Sequence, residues 1–186
     1  MGKILENLHI TLGIGFVLAL LLLLAPYTPG YDALAIFQWL HVFFGITWIG
    51  LLYYFNFVQI PTMPAIPAEL KPGVSKFIAP KALFFFRWGA AFTVLTGLIL
   101  AAIGNYIHEA LTFQEGFTLI GIGMWLALIM AFNVWFIIWP NQKRALGLVE
   151  ADDATKAKSA RTAMLTSRVN TLLSIPMLLA MTNFKV

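Results

Sequence analysis

The stretch ALAIFQWLHVFFGITWIGLLYYFNFV, residues 33–58, contains no aspartate, glutamate, lysine or arginine. About 20 apolar residues in a helix cross the roughly 30 Å hydrocarbon layer of a bilayer. In lipid no water is available to the backbone, so such a segment must satisfy its N–H and C=O groups internally, as a helix. Four further apolar segments flank it, at approximately 8–24, 82–103, 116–139 and 162–184. The expected fold is therefore all-α: a polytopic transmembrane helical bundle of about five spans, forming one domain over residues 1–186. Composition agrees, because 60% of the residues are hydrophobic and 11% charged, where a soluble domain would have roughly a quarter charged. No internal repeat, low-complexity tract or second domain is evident.

The first apolar segment follows Lys3 and has the look of a signal peptide. However, Ala25–Gly30 reads Ala-Pro-Tyr-Thr-Pro-Gly, which is not a small-x-small cleavage site. A retained anchor is expected. With five spans, one side carries Lys3, Lys71, Lys76, Lys81, Lys143, Arg144, Lys156, Lys158 and Arg161. The other has Lys185, with Asp32, Glu109 and Glu115 in its loops. Excess Lys/Arg marks the cytoplasmic side, which gives an N-in, C-out arrangement in a bacterial inner membrane. The same topology accounts for the net charge of +4 without a nucleic-acid partner.

The connections differ in character. Prolines 61, 64, 67, 72 and 80 predict an extended, interface-hugging segment over Ile60–Pro80. Asp152 and Asp153 are N-cap residues, and Lys156 stands four beyond Asp152, so Ala151–Arg161 should extend the fifth helix into the cytoplasm. The absence of cysteine excludes disulfides, thiolate metal sites, iron–sulfur clusters and covalent c-type haem.

Ionisable groups inside spans are costly and mark function by default. His41, Arg87 and Arg168 are the three here. On a helical wheel His41, Gly45, Trp48, Leu52, Asn56 and Gln59 form one stripe directed at the bundle interior. Gly45 would let something flat or bulky approach near His41. Arg87 is near the face of Ala90, Ala91, Val94 and Gly97, while Asn133 and the Trp139–Gln142 segment come from the fourth span. Arg168, Asn170, Thr171 and Ser174 come from the fifth, which Pro176 should bend. By helical rise, His41 lies about 12 Å below the outer boundary and both arginines roughly 8 Å above the inner one, about 10 Å apart in level. That spacing suits a haem or another elongated anionic or quinone-like cofactor, and a plain helix–helix hydrogen bond at His41 is the structural alternative. The arginines can also snorkel to the interface. Trp39, Trp88 and Trp139 read as interface anchors, and His9 and His108 as ordinary span-end residues. No phosphate-binding, nucleophilic or paired-carboxylate motif is evident.

Four blocks, His41–Phe57, Phe86–Ala90, Asn133–Gln142 and Ser167–Met177, together resemble the membrane domain of the bacterial membrane-bound urate oxidase (urate hydroxylase) family. The H-x-x-x-G-x-x-W-x-G-x-x-Y pattern from His41 to Tyr53 is more distantly similar to small four-helix haem proteins. These include the bacterial membrane protoporphyrinogen oxidases and copper-resistance membrane proteins. The resemblance implies a helical bundle that holds b-type haem through His41 as metal ligand, with Gly45, Trp48, Arg87, Asn133 and Arg168 around the cofactor. It also implies redox chemistry linked to an extracytoplasmic c-type cytochrome, which in the family follows the membrane domain. This chain ends at Val186 without cysteine, so its acceptor is expected on another chain. Three functions compete: a haem-b redox subunit, a non-catalytic accessory or assembly subunit of a larger membrane complex, and urate-type oxidation within the chain.

Overall fold

A computed structural model describes residues 2–23 and 33–184. The Ala25–Gly30 segment, Asp32 and Lys185 lie outside these residues. The chain falls into two compact units, 1–36 and 37–186. In the first, Gly2–Leu5 forms one helical turn and helix α1 spans Leu8–Leu23. Asn7 caps α1, its Oδ1 accepting from the His9 backbone N–H at 3.0 Å. Its 16 residues include none that is buried, and at 1.5 Å each they rise about 24 Å.

Four longer helical runs follow: α2 (Ala33–Ala65), α3 (Lys71–Ile103), α5 (Thr118–Ala145) and α6 (Asp153–Thr182), with the short α4 (Ile107–Leu111) between α3 and α5. All four are long and apolar enough to cross a membrane. The described residues contain no strand. All-α architecture with four membrane-length apolar helices is thus the class of protein the chain defines.

The proline-rich connection departs from the sequence expectation. Between Ile60 and Pro80 only residues 66–70 are non-helical; the rest continues α2 or begins α3. The reason lies in π-helical stretches: Tyr54–Gln59 and Val74–Ile78 border this connection, and Asn133–Ile138 repeats the device in α5. Each is closed by a backbone N–H reaching five residues back: Ile60 to Phe55, Ala79 to Val74, and Trp139 to Val134. A proline stands two residues beyond the end of each, at 61, 80 and 140. Proline removes one i→i−4 bond and crowds the carbonyl four residues back. A widened π turn immediately before it re-satisfies the neighbouring groups and lets the helix continue. Pro176, by contrast, sits inside an unbroken α-helical run in α6.

The main core joins Trp48, Leu52 and Phe55 of α2 to Leu83, Phe86 and Ala90 of α3, Met130, Val134 and Ile138 of α5, and Ala163 and Met177 of α6. Where α5 crosses α6, a Cβ at Gly123 would lie 2.9 Å from the Ala180 Cβ, so glycine allows the close approach. The buried stripe of α6 is correspondingly small and polar: Ser159, Ala163, Ser167, Asn170, Ser174, Met177 and Ala180. Small side chains and interhelical hydrogen bonds are what lipid-embedded helices rely on, because hydrocarbon offers no hydrophobic drive between them. A second cluster seats Tyr106 and Ala110 on Ile120 and Met124. Burial pushes the Tyr106 phenol pKa up. At the other end of α6, Asp152 is the expected N-cap, accepting from the Thr155 N–H at 2.7 Å. Lys156 pairs with Asp153 at 3.2 Å rather than with Asp152.

Candidate functional site

His41 sits on α2 opposite a stripe of small residues on α3. Its Nδ1 is 2.9 Å from the Thr93 carbonyl oxygen. A carbonyl can only accept, so Nδ1 carries the proton and the Nε2 lone pair is left free. Threonine 93 is held in turn: its hydroxyl donates to the Gly89 carbonyl at 2.7 Å. The imidazole occupies the space that Gly97 leaves. A Cβ there would be 2.7 Å from Cε1 and 2.8 Å from Nδ1, but 3.7 Å from Nε2. The ring therefore lies on Gly97 by its Cε1–Nδ1 edge. One α3 turn pattern, Gly89, Thr93 and Gly97 at i, i+4 and i+8, serves the whole contact. Gly89 admits the Trp48 backbone, its Cβ position being 3.2 Å from the Trp48 N. Gly45 faces the Thr93 methyl at 3.8 Å, so what approaches it is α3.

Toward the other end of α2 the stripe carries polar atoms with no partner. Trp48 is fully buried, and its Nε1 is unpaired, as are Asn56 Oδ1 and Gln59 Oε1. The Asn56 amide Nδ2 donates to the Leu52 carbonyl at 2.9 Å and to Ser167 Oγ at 2.8 Å. Tyr53 OH meets Ser174 Oγ at 3.0 Å. Because the Ser174 hydroxyl already donates to the Thr171 carbonyl, Tyr53 is the donor of that pair.

The Arg87 guanidinium lies over the Trp139 indole, with Cζ 3.2 Å from the ring centroid and 5.8 Å from that of Trp135. Its Nε and Nη1 are buried without hydrogen-bond partners. Trp139, read from the sequence as an interface anchor, is thus a stacking platform for this cation. Asn133 Nδ2 donates to Asn170 Oδ1 at 2.8 Å, and Asn170 Nδ2 donates to the Met130 carbonyl at 2.9 Å. Arg168 is exposed and lines a groove with Asn56, Phe57, Thr171, Leu172 and Ile175.

The structure therefore brings His41, Gly45 and Trp48 together against α3, whereas Arg87, Asn133 and Arg168 belong to three other neighbourhoods. Arg87 is ten residues from Gly97 along α3, about 15 Å at helical rise, and stacks on Trp139 near the proline end of α5. Sequence reading missed Thr93, Gly89 and the Asn133–Asn170 pair. The i, i+4, i+8 spacing of Gly89, Thr93 and Gly97 was the available signal. As to a haem, the donor set fits at one point. His41 has the proton fixed on Nδ1 by a backbone carbonyl, which is how metal-ligating histidines are generally oriented. One of the two Asn133 amide N–H groups is engaged by Asn170, and Arg168 is on another surface. Among the described residues no group of three His, Asp or Glu side chains could hold a metal ion.

Residues 107–184, less than half of the chain, match the family described as urate oxidase N-terminal. The matched region covers α4, α5 and α6 and thus includes Asn133, Asn170 and Arg168, but not His41 or Arg87. No curated protein and no solved structure matches the chain.

Proposed function

We propose that this protein is a membrane redox subunit in which His41 would hold a b-type haem through its iron, delivering electrons to an extracytoplasmic c-type cytochrome. The observation that carries the reading is the 2.9 Å contact of His41 Nδ1 with the Thr93 carbonyl, which leaves Nε2 as a free donor lone pair. The haem, when bound, would supply a reversible one-electron iron couple. Thr93 fixes the tautomer and raises the basicity of the imidazole. Gly97 leaves the space that its ring occupies. Trp48 and Leu52 close the bundle below it, both fully buried. Arg87, with two buried N–H donors and no acid partner, offers a carboxylate or other anionic group a charge-assisted hydrogen bond.

In this reading the chain crosses the inner membrane about five times, N-in and C-out. Lys71, Lys76 and Lys81 after the 66–70 break, Lys143–Arg144, and Lys156, Lys158 and Arg161 support that orientation. His41 then belongs to the outer half of the bilayer, toward the acceptor. The test is a reduced-minus-oxidised spectrum of the purified protein: a b-type signal lost in His41→Ala supports the assignment, and one retained in full overturns it.

A second reading, a non-catalytic accessory subunit, has its own support. The side-chain amides of Asn56, Asn133 and Asn170 and the imidazole of His41 all make interhelical hydrogen bonds. A preparation that stays colourless after incubation with haem would favour it. Urate-type oxidation in this chain is supported by the family match alone, and would require urate binding to the purified protein.

A further inference from the structure

The exposed face of α6 carries its charges and its apolar residues in a particular order. Lys158, Arg161, Leu165, Arg168, Leu172, Ile175 and Leu179 follow one another at spacings of three and four, so they share one face. All seven are exposed. The cations occupy its first part. Beyond Arg168 the face is purely aliphatic: Leu172, Ile175 and Leu179 are 67, 66 and 62% exposed. Beside it lies a groove of about 410 Å³ between α2 and α6, lined by Asn56, Phe57, Arg168, Thr171, Leu172 and Ile175. The lining includes no acid, and the single ion pair among the described residues joins Lys156 and Asp153. Arg168 is thus a cation without a counter-charge.

Arg168 is seven residues beyond Arg161, about 10 Å deeper along the helix. Helical side chains tilt toward the N-terminus, and arginine extends its head toward the interface while its stem stays in hydrocarbon. Its guanidinium therefore comes to the level at which headgroup phosphates meet acyl chains. From these observations the geometry points to a bound anionic phospholipid. Its phosphodiester accepts hydrogen bonds from Arg168, its headgroup lies toward Arg161 and Lys158, and its chains run along Phe57, Leu172, Ile175 and Leu179. The volume falls in the roughly 300–1,000 Å³ range of small-molecule sites. The site is independent of His41 and of any haem.

The test is thermal unfolding of the delipidated full-length protein in neutral detergent, titrated separately with phosphatidylglycerol, phosphatidylcholine, inorganic phosphate and a short-chain quinone. Phosphatidylglycerol should stabilise at concentrations roughly tenfold below phosphatidylcholine, and Arg168→Gln should remove most of that preference, with Arg168→Lys restoring part of it. Leu172→Trp, which fills the groove and leaves the charge, should weaken binding of the same lipid. In the wild type the preference should also shrink as ionic strength rises, a readout that needs no variant to fold. Equal stabilisation by the two lipids, or a preference unchanged in Arg168→Gln, overturns the proposal. Stabilisation by inorganic phosphate alone would make the site one for a free anion, and stabilisation by the quinone alone one for a neutral ring; either result also overturns it.

Discussion

Replacing Gly97 with alanine adds a single methyl group at the place where the His41 ring rests. The new carbon would stand 2.7 Å from Cε1 and 2.8 Å from Nδ1, while ordinary carbon contacts are about 3.5–4.0 Å. The imidazole must retreat by several tenths of an ångström or more. Cε1 and Nδ1 are both pushed away, so the 2.9 Å bond from Nδ1 to Thr93 is lost or bent. Inserting a methyl group into a packed contact costs roughly 1–3 kcal/mol, and the lost hydrogen bond about another 1 kcal/mol. The expected destabilisation is therefore about 2–4 kcal/mol, measured by denaturant or thermal unfolding in a fixed detergent. A double-mutant cycle with His41→Ala separates this contact from a general intolerance of α3. With the ring removed the methyl group has room, so the Gly97→Ala penalty should fall below about 1 kcal/mol in the His41→Ala background. If the penalty is the same with and without the imidazole, the His41–Gly97 packing is not what α3 provides, and the reasoning fails.

Other substitutions should follow the same geometry. Asn170→Ala removes the acceptor of the Asn133 amide and one of the donors to the Met130 carbonyl, which keeps the Asn133 backbone N–H, and should cost about 1–3 kcal/mol in unfolding measurements; Asn133→Ala should cost less, because Asn170 keeps its bond to Met130. A Cβ at Gly121 would overlap the Ala110 carbonyl oxygen, so Gly121→Ala should displace α4 and raise proteolytic sensitivity over residues 104–117 while the remaining helices stay protected. The Asp152 carboxyl is held below the usual carboxylate range, mainly by the Thr155 backbone N–H. A lowered folded-state pKa means that the capping contribution is present above the ordinary value and lost as pH falls through the lowered one. Amide exchange at residues 154–158 should therefore accelerate on acidification in the wild type and be nearly pH-independent, after correction for intrinsic rates, in Asp152→Asn.

The interior stripe of α2 was legible because its polar and large residues recur at helical spacing in an otherwise apolar run. Trp48 and Leu52 are indeed fully buried. The partner face on α3 was not. Glycine and threonine carry little hydropathy contrast, so the regular spacing of Gly89, Thr93 and Gly97 is easily overshadowed by the conspicuous Arg87. The proline-rich connection misled for a different reason: proline was weighed as a helix breaker, whereas the π turns before Pro61 and Pro80 absorb it. Likewise, a tryptophan at a span end reads as an interface anchor until the cation above it is seen, as Arg87 is over Trp139. The asparagines could be recognised as interior groups, but nothing in their spacing says that Asn133 bonds Asn170 rather than a ligand. Convergence of side chains from separate helices is a tertiary fact, and the dispersal of Arg87, Asn133 and Arg168 shows it.

The central claim concerns the free Nε2 of His41, and the visible spectrum addresses it most directly. The protein should be purified in detergent, incubated with haem, freed of excess, and measured reduced minus oxidised beside His41→Ala. The account predicts a b-type difference spectrum in the wild type with haem bound stoichiometrically, and loss of most of that signal in His41→Ala at equal helical content. A wild type that takes up no haem, or a His41→Ala protein with an undiminished spectrum, would contradict it.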